Sequence, residues 1–267
     1  MGVYTFDMRN FRYSKLTIFL KKFYRNFHPI QRSQYTKGNV EDICAINLVP
    51  RSVIKKFFTK SVERLRKLKG HNIGDYLEFG VFNGSSLGSM YKVIKEQQLS
   101  TRIFGFDAFE GLPEGSEKED GGVWKKGFYT CSFEQTERCL RERGVDLDSI
   151  NWCKGWYKNT LNDDLVREKK IYNIGIVFID CDTYSSSKTA LDFLAPLITS
   201  PAIFCFDDWK LNDLDVKEMG EYKSFNEFLD ANTHLKAAEI KSYNRKSKSF
   251  LICPVDNNNP NGAKRML

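Results

Sequence analysis

The stretch that most constrains the fold is Ile174-Gly175-Ile176-Val177-Phe178-Ile179-Asp180-Cys181-Asp182. An apolar run of this length, closed by polar residues, reads as a strand buried on both faces, the kind found inside a parallel sheet. Its two carboxylates fall at the C-terminal end, where open α/β sheets bind ligands. Further on, Ala202-Ile203-Phe204-Cys205-Phe206-Asp207-Asp208 repeats the pattern. Two buried strands, each ending in paired acids, form the centre of the chain.

Other segments fit around them. Apolar residues three to four apart predict a helix over 51–69, with Gly70 as its stop. Tyr76–Phe82 is a strand pattern running into Asn83-Gly84-Ser85-Ser86 and a helix from Leu87 to Gln98; Ser85 or Ser86 is the expected cap. Strands are predicted at 102–107 and 150–155, and helices at 133–144, within 156–169, at 186–197 and at 221–231. The stretch 108–130 is a long polar, Gly-rich loop, as lids and binding loops often are. Two closing strands, Ala237–Tyr243 and Ser249–Cys253, have no helix between them. Alternating strands and helices argue a doubly wound, mostly parallel sheet with helices on both faces, finished by an antiparallel hairpin. That is the seven-stranded Rossmann-like sheet of class I methyltransferases, here with an N-terminal helical extension.

Charge divides the chain. Residues 1–70 hold 16 Lys/Arg against 4 Asp/Glu, a balance of +12, so the net +7 leaves −5 for the remainder. The expected organisation is a basic N-terminal arm (1–70), a catalytic domain (71–254) and a flexible tail (255–267). Within the arm, Leu16, Phe19, Leu20 and Phe23 fall at helical spacing among basic residues. Such a helix suits peripheral contact with a membrane, packing on its own domain, or a homo-oligomer interface. No apolar run approaches the ~20 residues of a membrane span, and the N-terminus has no signal-peptide core. The seven cysteines include no C-x-x-C pair and are expected to be free structural thiols, in keeping with a cytoplasmic protein.

Three constellations carry chemistry. The turn Glu78-Phe79-Gly80-Val81-Phe82-Asn83-Gly84-Ser85-Ser86 lets a ligand approach backbone at a helix N-terminus. Asp107 ends the next strand, where nucleotide folds place a ribose acceptor. Asp180, Asp182, Asp207 and Asp208 form an acid quartet whose mutual repulsion a hard divalent cation relieves. With no His or Cys ligand cluster, Mg²⁺ is preferred to Zn²⁺. His28, His71 and His234 lie outside every motif, and no G-x-x-x-x-G-K-[ST] phosphate loop is present. Trp124, Phe128 and Tyr129 in the long loop are candidates for stacking on a sugar or for packing the lid.

The ordered motifs Glu78-x-Gly-Val-Phe-x-Gly84, Phe106-Asp-Ala-Phe-Glu-Gly-Leu-Pro113, Gly155-Trp-Tyr-x-x-Thr-Leu161, Asp180-x-Asp-x-Tyr-x-Ser186 and Phe206-Asp-Asp-Trp209 resemble the macrocin O-methyltransferase family, over about residues 72–253. The resemblance implies an S-adenosylmethionine-dependent, Mg²⁺-assisted enzyme methylating a hydroxyl of a sugar, glycosylated small molecule or glycan, with no nucleic-acid partner. It implies that Glu78, Gly80, Phe82, Ser85 and Ser86 line the methionine part of the cofactor. Asp107, with Ala108, would meet the ribose, and Gly155 and Trp156 would lie near the adenine. Asp180, Asp207 and Asp208 would hold the metal, with catalysis shared between Asp180 and Asp182 as ligand and base. The chain departs from the family at Thr199-Ser-Pro201, Ser185 and Trp209, which bears on the acceptor more than on the cofactor.

Two other functions use parts of this pattern. A metal-dependent glycosyltransferase also ends an apolar strand in Asp-x-Asp, but leaves the Glu78–Gly84 turn, Asp107 and Asp207–Asp208 without a role. A non-catalytic nucleotide-binding scaffold would use the basic arm as its working surface.

Overall fold

The computed structural model describes residues 40–46 and 48–255. The arm helix expected over 8–28 and the tail beyond Val255 lie outside them. In chain order the elements are α1 (Val40–Ala45), α2 (Arg51–Lys69), β1 (Asp75–Phe79), α3 (Ser85–Glu96), β2 (Ile103–Asp107), α4 (Phe133–Glu142), β3 (Ile150–Lys154), α5 (Tyr157–Thr160), α6 (Asp163–Lys169), β4 (Ile174–Ile179), α7 (Tyr184–Leu194), β5 (Ala202–Phe206), α8 (Gly220–Ala231), β6 (Leu235–Ile240) and β7 (Lys248–Pro254). The seven strands form one sheet in the order β3-β2-β1-β4-β5-β7-β6. The first five are parallel, and β7 runs antiparallel to both β5 and β6. This is the expected class I sheet with its closing hairpin. Among the described residues no helix is long and apolar enough to cross a membrane.

Strand β4 is buried at every position, and from Ile176 to Ile179 its side chains alternate between two cores. Ile176 and Phe178 face one side with Phe58, Val62 and Leu65 of α2 and Leu87 and Met90 of α3. Val177 and Ile179 face the other with Leu191 and Leu194 of α7 and Phe225 and Phe228 of α8. The stripe Ile54, Phe57, Phe58, Val62 and Leu65 explains why α2 forms and where it docks; Phe58 meets Tyr76 and Phe178 edge-on. Truncating Phe58 to Ala would cost ~3–5 kcal/mol.

The order reverses between β1 and β4, so their C-terminal ends open the crevice where such sheets bind ligands. There β1 stops three residues before the predicted end at Phe82, because Gly80 leaves the strand at φ +89. Only glycine fits: a Cβ would overlap the carbonyl oxygen of Asp180. The predicted serine cap is also displaced. Gly84, left-handed at φ 71, is the N-cap of α3, and Asn83 Oδ1 accepts the Ser85 N–H at 3.2 Å. Ser86 is thereby released for another partner.

Three expectations are corrected. Pro29, Gly38 and Pro50 predict a linker or extended cover over 29–50, but this segment contains α1, and Asn83 and Arg143 bind the carbonyls of Ile43 and Cys44 in that helix and of Ile46 just after it. Cys44 and Cys139 are not free thiols but a disulfide joining α1 to α4. Local spacing could not show it: the two are 95 residues apart and meet, Cα to Cα at 5.0 Å, only when α1 docks. The other five cysteines are free and buried, as expected. The long loop after β2 is not structureless. It carries 3₁₀ turns at Ser116–Lys118 and Asp120–Gly122, and Trp124 packs a small core with Leu112, Leu211 and Leu214.

Candidate active site

Beneath the turn after β1, Glu78 is fully buried. Its Oε1 accepts the Ser86 hydroxyl at 2.6 Å, and its Oε2 accepts the Tyr76 hydroxyl. Burial pushes the carboxyl up to about 8, against the pull of those two hydrogen bonds. Ser85 and Ser86 line a smaller pocket that shares Phe82, Asp180 and Asp207 with the main crevice, and Glu78 lies behind them, bonded to Ser86. Asp107 both lines the crevice and shapes it. Oδ2 accepts the N–H groups of Val81 (2.7 Å) and Phe82 (3.0 Å), and Oδ1 that of Phe109 (2.7 Å). One carboxylate therefore moulds the turn after β1 from the end of β2. Burial raises its pKa and these N–H groups oppose the rise. Gly155 donates its N–H to the Asp107 carbonyl at 2.9 Å, which brings Trp156 to the same wall.

The crevice has a volume of about 610 Å³, within the ~300–1,000 Å³ usual for ligand sites. It runs from Gly80, Phe82, Asp107, Ala108, Gly155 and Trp156 to Asp180, Asp182, Asp207 and Asp208, bringing these predicted residues together but leaving Glu78, Ser85 and Ser86 outside its lining. Loop residues 110–114, Glu119, Lys126, Phe128 and Tyr129 cover it. Trp124 takes no part, being only 1% exposed in the small core of the loop.

Past the ends of β4 and β5, Asp180 and Asp207 are set by the sheet: their N–H groups bond the carbonyls of Phe79 and Ile179 on the neighbouring strands. Carboxylate oxygens of Asp180, Asp207 and Asp208 lie within 4.8 Å of one another, the one such group among the described residues. Burial, then Asp207, Asp208 and Asp182, hold the Asp180 carboxyl well above the usual carboxylate range. Asp182 stands outside the trio, buried, with left-handed backbone at φ 64. Thr183 then caps α7 by accepting the Ser186 N–H at 3.2 Å.

Two further groups belong here that the sequence did not single out. Glu221, at the start of α8, is fully buried; its Oε2 accepts the Asp208 N–H at 3.0 Å, and its Oε1 makes no hydrogen bond. Burial and the aspartates raise its pKa strongly. Tyr243 donates its hydroxyl to Asp207 Oδ1 from the turn after β6, which ends at Ile240 rather than at the predicted Tyr243. Neither residue lies in a motif. Only the packing of α8 and the closing hairpin against the strand ends brings them in. A cation fits this donor set: hard carboxylate oxygens converge, Asp180 and Glu221 resist ionising, and the buried Glu221 Oε1 makes no hydrogen bond.

The sequence pattern that defines macrocin-O-methyltransferases (TylF) matches residues 28–237. The chain belongs to this family. The match sides with methyl transfer over the glycosyltransferase and scaffold alternatives. A curated relative, the 8-demethyl-8-(2,3-dimethoxy-alpha-L-rhamnosyl)-tetracenomycin-C 4'-O-methyltransferase of Streptomyces olivaceus, is 25% identical over 146 residues, 52% of this chain and 54% of that protein. The chain thus spans about half the length of the curated relative it matches. Among solved structures, the O-methyltransferase NovP superposes with a TM-score of 0.60 at 18% identity, covering 74% of this chain and 78% of that one. The calicheamicin methyltransferase CalS11 gives 0.53 at 17%, covering 94% and 98%. These two likenesses speak to the fold.

Proposed function

We propose that the protein is an S-adenosylmethionine-dependent O-methyltransferase that methylates a hydroxyl of a sugar on a glycosylated small molecule or glycan, assisted by Mg²⁺. The observation that carries this is the placement of the Asp180–Asp207–Asp208 trio, with Asp182 beside it, at one end of a crevice whose other end is the Gly80–Asp107 turn. Family membership supports the donor, and the rhamnose-modifying relative supports the sugar acceptor.

The sulfonium of the donor supplies an activated methyl group, so the chain must align an oxygen with it and remove a proton. Phe82, Asp107 and Trp156 form the walls against which the donor would lie, and Ser86 is held toward that end by Glu78. Asp180, Asp207 and Asp208 would hold Mg²⁺, which would add positive charge beside the acceptor hydroxyl and lower its pKa. A carboxylate oxygen of Asp182 takes the hydroxyl proton. Both residues line the crevice, but only Asp180 belongs to the trio, which supports giving metal binding to Asp180 and proton removal to Asp182. Loop residues Phe128 and Tyr129 offer aromatic faces to the sugar and exclude water.

The test is incubation with labelled S-adenosylmethionine, with Mg²⁺ or chelator, and a panel of rhamnosylated small molecules, nucleotide sugars and glycans. Mg²⁺-dependent label on a sugar hydroxyl is expected. Donor binding with no label on any sugar would sink the acceptor class; equal transfer in chelator would sink the metal.

A further inference from the structure

Asp120, in the loop that covers the crevice, is 8% exposed, and its carboxylate accepts hydrogen bonds from three separate parts of the fold. Oδ2 takes the Tyr184 N–H at 2.9 Å and the Trp124 indole N–H at 3.2 Å; Oδ1 takes the Gly220 N–H at 2.8 Å. Tyr184 is the first residue of α7, two positions after Asp182. Gly220 is the first residue of α8 and precedes Glu221, which holds the Asp208 N–H. Trp124 anchors the loop's own core. The neighbouring Glu119 repeats the contact closer to solvent: its Oε2 accepts the Ser185 N–H and its Oε1 the Ser185 hydroxyl, both at 2.8 Å.

We propose that Asp120, seconded by Glu119, is a positioning residue that ties the cover of the crevice to both acid-bearing segments of its floor. Asp120 and the two glycines after it all have positive φ (51, 70 and 76), a tight left-handed turn that delivers the carboxylate between the N-termini of α7 and α8. A carboxylate that accepts three N–H donors is satisfied in place, and no neutral side chain of its size accepts at both oxygens. The cover carries Phe128 and Tyr129, and the floor carries Asp182 and Asp208. Fixing one to the other sets the height available to an acceptor ring and holds the proton-accepting carboxylate in register with it. That the floor receives an acceptor rests on the methyl-transfer assignment; the mechanical tie does not.

Amide hydrogen exchange on the full chain tests the tie without any acceptor. Asp120→Asn keeps the shape but places an NH₂ against an N–H donor. Amides of residues 112–130 should then exchange roughly tenfold faster or more, together with those of Tyr184 and Gly220. Amides of β1 and β4, and binding of S-adenosylhomocysteine, should hold within twofold. Faster exchange in the loop alone, no change anywhere, or loss of protection in β1 and β4 as well would each overturn the proposal. Should Asp120→Asn yield no folded protein, Glu119→Gln is scored the same way: the loop and Ser185 must loosen together, and no change at either overturns it.

Discussion

Glu221 accepts the backbone N–H of Asp208 at 3.0 Å from a position with no exposure to solvent. The contact fixes one member of the trio from behind, with a carboxyl group that burial and the aspartates favour as protonated and that a bound cation would help to ionise. Partners of this kind orient ligands, and losing one typically costs ~10–100-fold in metal affinity. Glu221→Gln retains an oxygen to accept the Asp208 N–H but removes the group that a bound cation would ionise. Its Mg²⁺ dissociation constant, measured by calorimetry, should rise by roughly tenfold, with S-adenosylhomocysteine binding unchanged. Unaltered Mg²⁺ affinity would make Glu221 purely a helix anchor.

Asp182 and Asp180 sit two residues apart but in different environments, and substitution should separate them. Asp182→Asn should lower kcat by ~10²–10⁴-fold, the usual contribution of a positioned general base. Mg²⁺ should still stabilise this variant; saturation at about a hundred times Kd is worth ~2.7 kcal/mol and visible as a rise in Tm. Asp180→Asn should lose that rise. If the two variants behave alike, the division of roles between them is wrong.

The fold was largely legible because its signals are local. β4 and β5 are continuous apolar runs, α2 is a helical stripe, and every acid at a strand end follows its strand directly in sequence. Ser86 and Glu78 were legible as part of one turn, but not their order of depth, since only the three-dimensional turn at Gly80 and Gly84 puts Glu78 behind Ser86. Glu221, Tyr243, Asp120 and the Cys44–Cys139 pair escaped for one reason. Each acts on residues distant in sequence, Asp120 through two backbone N–H groups and the others through one contact, and nothing beside it in sequence marks a buried Glu at a helix start, or a Tyr in a turn, as different from a solvated one.

The Cys44–Cys139 disulfide closes a loop of 95 residues that includes β1, α3 and β2. A crosslink of that length constrains the unfolded chain and typically contributes ~2–4 kcal/mol. Reductant should therefore lower Tm by roughly 5–15 °C. Thiol titration of the denatured, non-reduced protein should count five free cysteines, the number left by this bond, and seven after reduction. Seven before reduction would show that the bond does not form in the preparation used.

Glu78 makes the stability of the fold depend on pH in a direction opposite to that of most carboxylates. Its folded pKa, about 8, lies above the ordinary 4.5 because the buried side chain is easier to protonate than to ionise. Between those values the folded state holds a proton that the unfolded state has released. Its contribution is therefore fully present below about 4.5 and lost as pH rises through about 8. Glu78→Gln cannot titrate, yet it can donate to Ser86 and accept from Tyr76. In metal-free, cofactor-free protein, the Tm of the variant relative to wild type should climb between pH 5 and pH 8, opening a gap of roughly 5 °C or more. A gap that stays constant or narrows over that range would mean that Glu78 is ionised in the folded protein and that Tyr76 and Ser86 outweigh its burial.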